Sequence, residues 1–264
     1  MARYIMQLAY KGTHFNGWQK QSHGKAVTIQ GSIEHSLSTI LREPVQVIGA
    51  GRTDTGVHAS FYVAHFDSAQ NIDCQKLTHK INSFINKDIS IILIHKVNVN
   101  FHSRFHALSR TYKYFIHTRP NPFITEFSHY VYYPLDLEKM KLATKALFEY
   151  KDFKALSKAH SGTKHYLVNL YQAQWVQEQD KLIFTIRANR FLRNMVRAIV
   201  GTMLEIGRGK LTIENMRILL KARDRRLSAF TAPAQGLFLT DISYPQEIEQ
   251  LLDKKQKFFY NEHI

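Results

Sequence analysis

Residues 45–66 read VQVIGAGRTDTGVHASFYVAHF, and how they divide decides the fold. Val45–Ala50 is a short apolar run, Phe61–Phe66 is another, and Gly51–Gly56 between them is polar and punctuated by glycine, so the segment reads as strand, tight loop, strand. The glycines at 49, 51 and 56 miss the G-x-G-x-x-G spacing of a dinucleotide loop, and a strand stands where that motif needs a helix. Upstream, Thr28 is placed as the N-cap of a helix whose apolar residues Ile29, Ile33, Leu37, Ile40 and Leu41 share one face, with Pro44 stopping it. Before that helix lies Lys11–Lys25, holding Gly12, Gly17 and Gly24, and before that a strand in which Tyr4, Met6, Leu8 and Tyr10 alternate with Ile5, Gln7 and Ala9.

Downstream the pattern runs through a second cycle. Lys76–Ile85 reads as a helix and Ile89–Val97 as a β-branched strand. Thr111–Thr118 alternates as a strand and Leu137–Phe148 is amphipathic. Leu170–Val176 and Lys181–Ala188 read as paired strands, and Phe191–Ile206 and Ile213–Ala222 as helices. The order of elements predicts an α+β fold in two halves, residues 1–105 and 106–264, with a soft boundary near Phe101–Arg110 that no Gly/Ser or Pro linker marks.

The 264 residues carry 36 Lys and Arg against 21 Asp and Glu, a net charge of +15 that attracts polyanions and puts nucleic acid first among partners. Cys74 is the only cysteine, which excludes an intrachain disulfide and argues for a reducing, cytoplasmic setting. No run approaches the roughly 18 to 20 apolar residues needed to span a bilayer, and the chain opens directly into a strand pattern, so the expectation is a soluble protein with no membrane partner. His102 and His106 stand four apart but lack H-E-x-x-H, and no metal is expected; neither a G-x-S-x-G elbow nor a P-loop occurs.

Three constellations remain. Asp54 lies two residues after Arg52 between glycines, on a loop leaving a strand, which suits an exposed reactive carboxylate; a β-turn in which Asp54 bonds nearby backbone N–H groups fits the same residues. On a helical period from Phe191, Arg190, Arg193, Asn194 and Arg197 form a stripe opposite an apolar face, suited to phosphate or simply to solvent. Arg104, Phe105, Arg110, Tyr112, Lys113 and Tyr114 interleave aromatic rings with cations, as a surface for unpaired bases does and as a half-buried strand also does.

GRTDTGVHA at Gly51–Ala59 resembles the tRNA pseudouridine synthase A family. Further similar segments follow in order: FNGWQ at Phe15–Gln19, TIQGSIE at Thr28–Glu34, FHSRFHALSRTYKY at Phe101–Tyr114, FLRNMVRAIVG at Phe191–Gly201 and APAQGLFLTDISY at Ala232–Tyr244. The resemblance covers nearly the whole chain. It implies isomerisation of uridine to pseudouridine in tRNA, in which the N1–C1′ bond breaks, the uracil rotates and C5 joins C1′, with no cofactor. It assigns catalysis to Asp54, as nucleophile on C1′ or C6 or as base, to Arg197 as its pairing cation, and to Tyr112, which stacks on the uracil and takes the C5 proton. Arg52 would contact phosphate or hold the flipped nucleotide out, and Leu237, after Gly236, would floor the base pocket; Arg190 and Arg193 would meet the RNA.

The family implies positions 38 to 40 of the anticodon arm (tRNA numbering), a homodimer sharing one tRNA, and two similar halves, each an antiparallel sheet with helices packed on one face, with the catalytic cleft between them. Two segments depart from the family pattern: Glu149–Leu156, where G-x-H-D-F-x-x-F is usual, and Thr163–Leu170, which lacks an arginine before the next strand. A paralogue acting at other tRNA positions, or a catalytically silent tRNA-binding protein on the same scaffold, is the alternative.

Overall fold

The computed structural model describes residues 1–21, 26–158, 162 and 165–254. Gly24 and Lys25 of the expected glycine-rich segment, and Thr163 and Lys164 of the second departing segment, lie outside the described residues. The chain forms two compact units, the first made of Met1–Leu108 and the chain from Leu239 onward, the second of Ser109–Phe238.

Unit 1 contains β1 (Ala2–Tyr10), α1 (Ile29–Leu41), β2 (Val47–Gly49), β3 (His58–Ser68), α2 (Cys74–Phe84) and β4 (Ile89–Val97). β1 is central, antiparallel to both β3 and β4, and β2 pairs antiparallel with β3. As the spacing predicts, Thr28 caps α1, its hydroxyl accepting from Gly31 N–H at 3.2 Å, and Ile29, Ile33, Leu37 and Leu41 are buried on one face. The helix ends at Arg42 in the left-handed conformation (φ 54°), with Pro44 beyond. β2 is shorter than the expected Val45–Ala50, and side chains of α1 bond its first residue. Gln30 Nε2 donates to Val47 O at 3.0 Å and Glu34 Oε1 accepts from Val47 N–H at 3.1 Å.

Unit 2 contains β5 (Ser109–His117), the two-residue β6 (His129–Tyr130), α3 (Leu137–Ala146), β7 (Leu170–Glu178), β8 (Lys181–Ala188), α4 (Met195–Gly207) and α5 (Ile213–Ala222). β8 lies between β5 and β7 and is antiparallel to both, and β6 runs parallel to the end of β5. α4 is buried almost throughout. Gly201 lets the chain pass close, since a Cβ there would stand 1.9 Å from Phe230 O.

The expected helix over Phe191–Ile206 is corrected at its start. Asn194 sits at φ 67°, a left-handed conformation that asparagine tolerates better than most residues, and its Nδ2 donates to Thr231 Oγ1 at 3.0 Å. The helix therefore begins at Met195. Arg190, Arg193 and Asn194 precede it on irregular chain, and of the expected stripe only Arg197 is on the helix. In the departing segment, Glu149 makes a two-bonded ion pair with Arg217 of α5 (2.7 and 3.0 Å), and Asp152 pairs with Arg223 at 2.9 Å.

From β9 (Leu237–Ser243) the chain passes into unit 1, and α6 (Gln246–Glu249) follows. The second half therefore ends short of the expected residue 264. Gln7, a polar residue buried in β1, exchanges two 2.8 Å hydrogen bonds with the backbone of Asp253. Leu108 N–H donates to Ser243 O at 2.7 Å. The expected α+β class, with an antiparallel sheet in each part, is what the two units show.

Candidate active site

Asp54 and Arg52 belong to unit 1, on the loop between β2 and β3. The loop is held by its neighbours on both sides. Thr53 is buried, its hydroxyl paired with Tyr10 Oη at 2.8 Å and its carbonyl accepting from Trp18 N–H at 3.2 Å. After Asp54 the chain turns back: Val57 N–H donates to Asp54 O at 3.2 Å, and Gly56 takes the left-handed corner at φ 78°. Before it, the Tyr62 hydroxyl donates to Gly51 O while its ring stacks on Trp18 at 4.1 Å between centroids.

Glycines permit this closeness. A Cβ on Gly12 would lie 2.0 Å from Val57 O, and one on Gly17, at φ 83°, would lie 2.5 Å from Thr53 O. The FNGWQ segment is thus the bracket of the Asp54 loop. Reading along the sequence alone misses Tyr10, Gly12, Trp18 and Tyr62 as functional supports, although the recurrence of FNGWQ with GRTDTGVHA is a signal for one of them, Trp18.

Asp54 is half-buried, and Arg52 is exposed, its Nε donating to Gln19 Oε1 at 3.2 Å. Gln19 in turn donates to Gln30 Oε1 at 2.9 Å, so Arg52 is steadied through two glutamines by α1. The result is a half-buried carboxylate on a loop whose backbone is pinned on both sides, with a cation two residues away.

Unit 2 carries the other six residues. Arg197, in the first turn of α4, is tied to the Thr231–Pro233 strand of chain in both directions: its Nε donates to Ala232 O at 2.6 Å and its carbonyl accepts from Ala232 N–H at 3.1 Å. Beside it on β5, Tyr114 is fully buried and donates from its hydroxyl to Pro233 O at 2.9 Å. Burial pushes the Tyr114 phenol far above the usual tyrosine range, and the Arg197 charge only partly offsets this, so the hydroxyl remains a donor. Gly236 packs on the same ring, since a Cβ there would lie 2.8 Å from Tyr114 Cζ.

Leu237 follows, 5% exposed. Tyr112, two residues before Tyr114, meets Phe191 edge to face at 5.0 Å, which brings β5 against the turn that carries Arg190 and Arg193. Unit 2 therefore gathers Arg197 and Gly236 around Tyr114, and sets Tyr112 against the chain between Arg190 and Arg193. Tyr114 and the Ala232–Pro233 carbonyls are its supports that sequence reading did not assign.

The class of protein comes from comparison with known proteins. Residues 6–106 and 143–245 match the family model for tRNA pseudouridine synthase, and the chain belongs to that family. It is similar to proteins named tRNA pseudouridine synthase A. That of Bacteroides fragilis is 46% identical over 93% of this chain and 98% of its own length. Those of Parabacteroides distasonis (47%; 94% and 98%) and Thermoanaerobacter sp. (36%; 92% and 100%) match to a similar extent. The chain is accordingly a tRNA-modifying isomerase.

Proposed function

We propose that this isomerase converts uridine to pseudouridine at positions 38 to 40 of the tRNA anticodon arm, with Asp54 as the reactive carboxylate. The observation that carries the reading is the Asp54 loop itself: its flanking residues are pinned through Tyr10, Trp18 and Tyr62, as a carboxylate that must meet one atom of a substrate requires. The reaction exchanges a C–N bond for a C–C bond and moves one proton from C5 to N1, so the product is an isomer and no atom or electron need be supplied from outside. No cofactor enters the proposal.

Arg197 is the cation proposed to pair with the carboxylate, its Nε bond to Ala232 O holding the guanidinium plane. Tyr112 is proposed to lie on the uracil and take the C5 proton, with Gly236 and Leu237 flooring the base pocket. Arg52, Arg190 and Arg193 are proposed to hold phosphates or the flipped nucleotide. Among the described residues no helix is long and apolar enough to cross a membrane. The cytoplasm as the compartment and the homodimer as the working form are parts of the same proposal.

The test is to incubate the protein with unmodified tRNA, treat with carbodiimide and sequence. Stops at positions 38 to 40 are the expected result. Stops confined to other positions would identify a paralogue with a different target, and their complete absence with tight tRNA binding would identify a silent binding protein.

A further inference from the structure

Arg104 and Phe105, in the run Phe101–His106, belong to the aromatic and basic interleaving and have no role in the isomerase reading. Phe101 and Ser103 are buried, whereas the Phe105 side chain is 74% exposed. The two histidines four apart serve the backbone. His102 Nδ1 accepts from Arg104 N–H at 3.2 Å and Phe105 N–H at 3.4 Å, and His106 Nδ1 accepts from His102 N–H at 2.8 Å. His106 N–H closes the turn on His102 O at 3.0 Å.

Burial, with the positive charges of Arg3 and Arg104 nearby, lowers the His102 pKa below that of a free histidine. This favours the neutral ring, which has an acceptor nitrogen.

The turn is moored from beneath as well. Ser103 Oγ donates to Ile48 O at 2.7 Å, Tyr244 Oη donates to Ser103 O at 2.6 Å, and Arg3 Nη1 donates to Phe101 O at 2.7 Å. Ile48 is the register partner of His65, so the mooring is on the strand pair β2–β3 that leads into and out of the Asp54 loop. One side of the Phe105 ring is backed by His102, with centroids 4.2 Å apart, and the Arg104 guanidinium carbon lies 5.8 Å from its centre.

Single exposed phenylalanines are ordinary on protein surfaces. This one is distinguished by the hydrogen bonds that hold its backbone in place while its ring stays in water. A cation beside the ring and a chain of net charge +15 favour a polyanion over an apolar protein surface as the occupant.

We propose that Phe105 is a fixed stacking platform for an unpaired base of the tRNA substrate, with Arg104 adding attraction for the neighbouring phosphate. The proposal rests on the reading of the chain as a tRNA enzyme. Stacking on an aromatic face tolerates any base, so the platform adds affinity and register to the bound RNA and leaves the chemistry to Asp54.

The test uses the full chain and an unmodified tRNA transcript at fixed salt. Phe105→Ala is expected to weaken tRNA binding about 5- to 100-fold, the range of one lost base stack, with its thermal midpoint unchanged because the ring is exposed. Phe105→Trp is expected to bind like the parent and to report the contact, since Trp18 and Trp175 are both buried. Its emission should be quenched by tRNA and not by heparin, which has the charge without the bases.

Parental affinity in Phe105→Ala, or emission in Phe105→Trp that tRNA leaves unmoved, overturns the proposal. So does emission in Phe105→Trp that changes with protein concentration before any RNA is added, which would assign the ring to a contact between copies. A parent protein that binds no tRNA strikes the underlying reading, and the carbodiimide sequencing separates that failure from this one.

Discussion

In unit 1 Asp54 stands on a loop whose neighbours are fixed by approaches too close for any Cβ, at Gly12 and Gly17. In unit 2 Arg190 and Arg193 stand on irregular chain between β8 and α4, and Arg197 is the arginine of that group carried by a helix. The contrast suits the roles proposed for these side chains. A carboxylate that forms a bond or takes a proton must be placed to a fraction of an ångström, whereas a cation facing a phosphate backbone acts over a longer range and tolerates a looser seat.

If that contrast is right, the largest effect belongs to Asp54. Asp54→Asn keeps the shape of the side chain and removes its nucleophilicity and basicity, so single-turnover pseudouridine formation is expected to fall below detection while tRNA affinity stays near parental. Arg197→Met is expected to follow it, lowering the rate at saturating tRNA by about a hundredfold or more with a modest change in affinity. A defect of Arg197→Met that saturating tRNA restores would move Arg197 to the looser group.

Next in size are the glycines. Gly12→Ala drives a methyl into the Val57 backbone and is expected to cost about 2–4 kcal/mol in urea unfolding, whereas Gly51→Ala, with nothing within 4 Å of the new Cβ, should stay within about 0.5 kcal/mol. Equal effects at the two positions would refute the bracket. For the looser side, replacing Arg190 and Arg193 by Gln is expected to weaken binding of all tRNAs alike. The log–log salt slope should flatten by about one unit or less per lost contact.

The last effect is one of pH. His65, on β3 and 1% exposed, has its pKa lowered to about 4, first by burial and then by the Arg3 and His102 charges. Its neutral form is favoured in the folded state, so its contribution is fully present above the unfolded value of about 6.5 and is lost as pH falls from there to about 4. Unfolding free energies measured across that window should decline, and His65→Asn should decline less steeply, by at most about 1.4 kcal/mol per pH unit.

Much of unit 1 was legible because its signals are local. The alternation of β1, the cap and apolar face of α1, and the strand-loop-strand around Asp54 each occupy a few consecutive residues. The start of α4 was not. Leu192, Met195 and Val196 keep a helical period across a break made by one dihedral angle at Asn194, and an apolar pattern carries no information about that angle. Nor was the end of the second half, because the bonds that draw the chain after Leu239 into unit 1 join residues as distant as Gln7 and Asp253.

At the site, composition and spacing alone left Asp54 open between a reactive group and a turn. The turn is there, closed by main chain with Gly56 at its corner, and the two readings are compatible. What pins the loop comes from Tyr10, Trp18 and Tyr62, on other segments, and no local pattern announces that.

The Gln7–Asp253 exchange also sets an order of events during synthesis. β1 leaves the ribosome before unit 2, and the partner of its buried amide is made after all of unit 2. Until Asp253 emerges, Gln7 is a polar group in an apolar strand with its bonds unmade, while Ser109–Phe238 is already complete and free to collapse on local contacts. Unit 1, begun before unit 2, is thus closed after it.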